Sequence, residues 1–125
     1  MFSVPGLLST ALGALHLLIG LLSLAVPVWT AINVFGLAPA RTVPIATRVG
    51  GARDAVLGGW LLLSSSPGEQ KRLLTALALV DILDTISAIV CFAEGNLPAE
   101  IVRAATLTSG SLAALALVAW RLRCA

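Results

Sequence analysis

The sequence predicts an all-α fold, a four-helix transmembrane bundle. Three observations predict it. Of the 125 residues, 58% are hydrophobic and only 11% are charged, where a soluble domain carries about a quarter charged residues. The mean hydropathy is +1.01. The apolar residues also come in four runs, each near the roughly 20 residues that cross a bilayer, and not in the alternating patterns of a soluble core. Four such spans and their turns use the whole chain, which leaves one integral membrane domain with the lipid bilayer as its first partner.

The first span is expected over residues 4–28. At about 100° per residue, Ser9, Gly13, His16, Gly20 and Ser23 share one side, and leucines fill most of the rest. Small residues let helix backbones approach closely in lipid, so this stripe should face other helices. The run has no basic residue before it and is longer than a signal-peptide core, and it is read as a retained span. A connection over 29–44 follows, with Trp29 suited to the interface. Gly36, Pro39 and Pro44 should break regular structure there, and Arg41 should stay in water or headgroups.

The second span is expected over 45–63. Gly50, Gly51, Asp54 and Gly58 share a face, and Val49, Val56 and Trp60 point towards lipid. Arg53 sits at the edge of the glycine face, where its long side chain can reach inward or snorkel. Residues 64–70 read as a polar turn. The third span, 71–92, is the most clearly two-faced: Asp81, Asp84, Thr85, Ala88 and Cys91 lie on one side, and Leu79, Ile82, Leu83, Ile86, Ile89 and Val90 on the other. After a turn at 94–100, with Pro98 as an early-helix residue, the fourth span covers 101–122. Its small face is Thr106, Ser109, Ala113 and Ala116, and Trp120 and Arg121 mark its far interface.

The net charge of +2 comes from eight basic and six acidic residues. The basic residues are scattered beside apolar runs, which is a topology signal and no nucleic-acid footprint. Lys71, Arg72, Arg121 and Arg123 fall on the side shared by the termini and the middle turn. Arg41 and Arg103 fall on the other, with Arg48 just inside a span. The positive-inside rule then puts both termini in the cytoplasm. Cys91 and Cys124 imply neither a disulfide framework nor a metal site.

The candidate chemistry lies in Asp54, Asp81, Asp84, Arg53 and His16. With a rise of about 1.5 Å per residue, Asp54 lies about 13 Å into the second span, Asp84 about 12 Å into the third, Asp81 one turn deeper, and His16 about 18 Å into the first. Groups from three spans thus reach similar depths on their small or polar faces, which predicts a polar pocket between spans one, two and three. Burial and like-charge repulsion disfavour ionising three carboxylates together. At least one is expected to be protonated at neutral pH, a general acid beside an ionised neighbour that serves as base. Ionisable groups inside membranes are expensive and are functional by default. The structural alternatives are an ion pair that glues helices, a His16 that only packs, and glycines that only admit close approach.

Asp81-Ile82-Leu83-Asp84 resembles the Asp-x-x-Asp element of membrane prenyltransferases, but a magnesium–diphosphate site needs more oxygen ligands and cations than this chain offers. A Cys–His metal site, a serine triad and a phosphate loop lack their residues, and no cofactor is expected. Gly51-Ala52-Arg53-Asp54 and the Asp81–Asp84 element together resemble those of an uncharacterised, mainly fungal family of small four-span membrane proteins. That resemblance implies a role beside secondary-metabolite pathways and a lipophilic small-molecule substrate, without naming a reaction. The Asp–Arg–Asp set is similar in kind to that of small water-activating epoxide hydrolases. An acid–base enzyme (isomerase, cyclase or epoxide-opening) is one reading. A non-enzymatic module (an oligomeric carrier or assembly factor) is the other, since four short spans enclose little volume unless protomers associate into a homo-oligomer.

Overall fold

The computed structural model describes residues 4–37 and 43–123. Pro39, Arg41 and Cys124 lie outside the described residues. The described chain is all-α, with five helices: α1 (Val4–Ala25), α2 (Pro27–Asn33), α3 (Val43–Leu63), α4 (Pro67–Ala93) and α5 (Ala99–Leu122). α1, α4 and α5 are long and apolar enough to cross a membrane, which marks a membrane protein. α3 matches them in length, but Arg48, Arg53 and Asp54 lower its apolar character. Of the four expected spans, three correspond to helices long and apolar enough to cross a membrane, and α3 is not among them.

Within the first expected span, 4–28, the helix α1 ends at Ala25. Pro27 interrupts it, because the ring has no N–H to give and its φ is fixed. Val26 leaves helical geometry at φ −131°, ψ 60°, and the helix resumes at once with Pro27 in its first turn. Thr30 N donates to Val26 O at 2.9 Å and Thr30 Oγ1 to the same oxygen at 3.0 Å. α2 ends at Asn33, and three residues on Gly36 takes a φ of 67°, which favours a residue without Cβ. Pro44, expected to break structure, instead lies in the first turn of α3, where a missing N–H costs nothing.

Residues 64–70, expected as a turn, are mostly helix. Pro67 starts α4 and Glu69 lies in its first turn, where a carboxylate suits the positive end of the helix. Ser64 Oγ donates to Glu69 Oε2 at 2.7 Å, and Gln70 Nε2 donates to Ser64 O. Pro98 stands one position outside α5, as its N-cap. Between α4 and α5 the chain turns in a Schellman motif. Gly95 has φ 76°, Gly95 N donates to Phe92 O at 2.9 Å, and Asn96 N donates to Cys91 O at 2.8 Å.

The chain divides into two compact units. One holds residues 10–63. Here α2 packs on α3, and α1 packs on α3 through glycines spaced seven residues apart, two turns, on both helices. A Cβ on Gly58 would lie 2.6 Å from Gly13 O, and one on Gly20 would lie 2.6 Å from Gly51 O. At each point one backbone lies directly against the other, a spacing at which Cα–H···O contacts form. Gly50, expected on this face, has open space where a Cβ would stand. It lies about 100° around the helix from Gly51 and misses the contact.

The other unit holds residues 1–9 and 64–125. α4 and α5 pack as an antiparallel hairpin, with Ala113, Ala116 and Ala119 buried. The expected outer face of α4 is exposed at all six positions from Leu79 to Val90. Arg123, just past α5, reaches the first turns of α1. Its Nε and Nη2 donate to Ser9 Oγ at 3.1 and 3.0 Å, and Nη2 also donates to Pro5 O at 3.3 Å. The start of α1 and the end of α5 therefore lie together.

Candidate functional site

Asp54 and Arg53 are adjacent on α3. Neighbouring side chains leave a helix about 100° apart and do not normally face each other. The arginine bridges that angle with its length: its Nε donates to Asp54 Oδ1 at 3.0 Å, and its Nη2 lies 3.0 Å from the same oxygen. The Asp54 side chain is 15% exposed and that of Arg53 36%. The carboxylate thus sits on the packed side of α3, and the guanidinium comes to it from the edge. Asp54 lies 11 residues into a 21-residue helix, about 17 Å from its start by the helical rise. That is the middle of the helix.

His16 is 2% exposed. Its Nδ1 lies 2.9 Å from Leu12 O. A carbonyl oxygen can only accept, so Nδ1 carries the hydrogen, and in the neutral ring Nε2 becomes the basic nitrogen. The His16 Cβ lies 3.0 Å from the position of a Cβ on Gly58, one turn beyond Asp54 on the same side of α3. The glycine contacts therefore bring together three of the five predicted residues, Arg53, Asp54 and His16, on one closely packed helix pair. The small-residue stripe of α1 is buried as expected: Ser9, His16 and Ser23 are each nearly inaccessible.

Asp81 and Asp84 stand on α4, in the other unit. Asp81 is 4% exposed and Asp84 is half-buried. The Asp81 backbone oxygen accepts a bond of 2.9 Å from Thr85 Oγ1, which turns that hydroxyl back into its own helix. The two carboxylates lie on the inward side of α4, about 18 and 14 Å from its end at Ala93 by the helical rise. Both face away from the exposed leucine, isoleucine and valine side chains.

Sequence reasoning missed the Arg123–Ser9 contact. Its partners are 114 residues apart, and neither carries a local pattern that predicts the other. Arg123 was assigned to topology alone. Ser9 had been placed correctly on the inward stripe, the one available hint that it would meet a donor.

Compared with family models, curated proteins and solved structures, the chain matches none.

Proposed function

We propose that the protein is a multi-pass membrane protein whose intramembrane Asp, Arg and His side chains carry acid–base chemistry on a small lipophilic molecule. The observation that carries this reading is the placement of Asp54 with its Arg53 partner, of His16 and of Asp81 on the inward sides of otherwise apolar helices. Such groups destabilise a membrane helix and are kept where they are used. In this reading Asp54, Asp81 and Asp84 each serve as an acid or a base, and Arg53 holds Asp54 in place. The basic Nε2 of His16 is a second proton acceptor. Isomerisation, cyclisation and epoxide opening all need this chemistry and no cofactor. The resemblance of two short elements to those of a fungal four-span family implies the same lipophilic substrate class.

In this proposal α3 crosses the membrane as the fourth span, with Arg53 and Asp54 neutralising each other. Both termini lie in the cytoplasm with Lys71, Arg72, Arg121 and Arg123. The Arg123 bonds to Ser9 and Pro5 support placing the termini on one side. A cysteine introduced at Asn96 in a cysteine-free version should then react with an impermeant maleimide from outside intact cells. One introduced at Ser65 should react only after permeabilisation, and the reverse pattern would invert the topology.

The enzyme reading is tested by comparing lipophilic metabolites in cells with and without the gene. An accumulating compound and a vanishing one that differ by isomerisation, ring closure or addition of water are expected. Identical profiles would count against an enzyme. A second reading, an oligomeric module, is favoured by the open space around Gly50 and Gly110, where a further helix fits closely. It predicts a stable oligomer and unchanged metabolites.

A further inference from the structure

The cationic end of the α4/α5 hairpin carries a feature that acid–base chemistry does not use. Lys71 lies 22 residues before the end of α4, and Arg121 lies 22 residues after the start of α5. In an antiparallel hairpin these positions come level. Lys71, Arg72, Arg121 and Arg123 therefore share one end with a single acid, Glu69, which accepts a hydrogen bond from Ser64. The opposite end carries Glu94 and Glu100 with one cation, Arg103. Arg123 is engaged with Ser9 and Pro5. The guanidinium of Arg121 is exposed and has no partner among the described residues. Directly beside it, on one face of α5, is an open, shallow groove of about 320 Å³ lined by Leu117, Val118, Trp120 and Arg121.

An apolar helix face that ends in an exposed arginine beside a tryptophan matches one occupant in chemistry and charge. We infer that it is a binding site for an anionic phospholipid, with an acyl chain along Leu117 and Val118 and the headgroup phosphate on Arg121. Arginine is suited to this because its planar fork presents two parallel N–H donors to a phosphate. Lys71 and Arg72 add the general attraction of a polybasic membrane edge, and Trp120 seats the headgroup boundary. A zwitterionic lipid brings its own cation to the arginine and gains less. The site requires only that α4 and α5 lie in a bilayer, and it holds whichever way the chain is inserted.

The test is native mass spectrometry of the full chain released from micelles doped with equal phosphatidylglycerol and phosphatidylcholine. Wild-type protein is expected to retain phosphatidylglycerol in preference. Arg121→Gln should lower that preference by about fivefold, the factor that one interfacial arginine contributes, and Arg103→Gln should leave it unchanged. Val118→Trp fills the groove without altering charge and should lower retention to a similar degree. Circular dichroism confirms that each variant keeps its helices. Equal retention of the two lipids by wild type, or an unchanged preference in Arg121→Gln, would overturn the proposal. So would a loss in Arg121→Gln with none in Val118→Trp, because charge alone would then explain the binding. Displacement of the lipid by inorganic phosphate would mark a phosphate site instead.

Discussion

Replacing Gly20 or Gly58 with valine is expected to separate α1 from α3 and leave little folded protein. The two helices meet backbone to backbone at these residues. A Cβ on Gly20 would stand 2.7 Å from Ala55 Cα and 2.6 Å from Gly51 O, and one on Gly58 would stand 2.5 Å from Leu17 N. Backbone atoms cannot rotate away as a side chain can, so the helices must move apart. Overpacking of this kind costs about 1–3 kcal/mol per site even when the added group is small. In lipid no hydrophobic gain compensates, because association there rests on close packing itself. Gly13→Ala should be milder, since the nearest atom is the Leu62 side chain at 3.0 Å. Gly50→Ala should be neutral or stabilising, because nothing lies within 4 Å and alanine favours a helix by about 1 kcal/mol over glycine. Thermal unfolding in detergent gives the order directly. A Gly20→Val protein that melts with wild type would show that the contact is not what holds this unit together.

The second large effect concerns the Arg53–Asp54 pair. In the proposed reading α3 crosses the bilayer, and a charged residue at the centre of a membrane helix costs about 2.5–3.5 kcal/mol on insertion scales. Pairing offsets much of this, and removal of one partner takes that compensation from the other. The two single variants are not equivalent. A carboxylate deprived of its cation can take up a proton and become neutral, whereas a guanidinium cannot shed one. Asp54→Leu should therefore give the lowest yield of folded protein, and Arg53→Leu an intermediate one. The double variant Arg53→Leu/Asp54→Leu should meet or exceed wild type, because replacing a buried pair with apolar side chains is often stabilising. Folded yield after membrane extraction, measured by size exclusion at equal expression, would show this order. A double variant as poor as Asp54→Leu would mean that the pair holds α3 in place and is not retained for its chemistry.

Much of the fold was legible because a helix in lipid has a simple rule of two sides. The exposed face of α4 and the buried stripe of α1 both follow from about 100° per residue and the small size of glycine, serine and alanine. Proline was the main source of error. Pro27, Pro44 and Pro67 each stand in the first turn of a helix, where the ring is favoured. The reading of Pro44 as a breaker and of residues 64–70 as a turn gave too little weight to that position. Gly50 failed for another reason: a face about 100° wide has edges, and only the helix opposite decides which glycine meets it. In the candidate site, the side of its helix on which each acidic residue lies could be read from sequence. The direction taken by the Arg53 side chain could not, because a residue at the edge of a face can serve either lipid or the interior. The His16 tautomer depends on the Leu12 carbonyl one turn away, and becomes visible only once the ring is placed.

The acid–base account rests on carboxylates that do more than hold helices together, and one measurement separates the two roles. Asp54→Asn, Asp81→Asn and Asp84→Asn keep size and hydrogen-bonding capacity but remove the titrating group. Each would be expressed in cells lacking the gene, at wild-type abundance and with wild-type melting behaviour, and the lipophilic metabolite profile compared with that of cells carrying the unaltered protein. The account predicts that all three variants give the profile of the deletion although the protein is folded and present. Normal metabolite output from all three folded variants would contradict it.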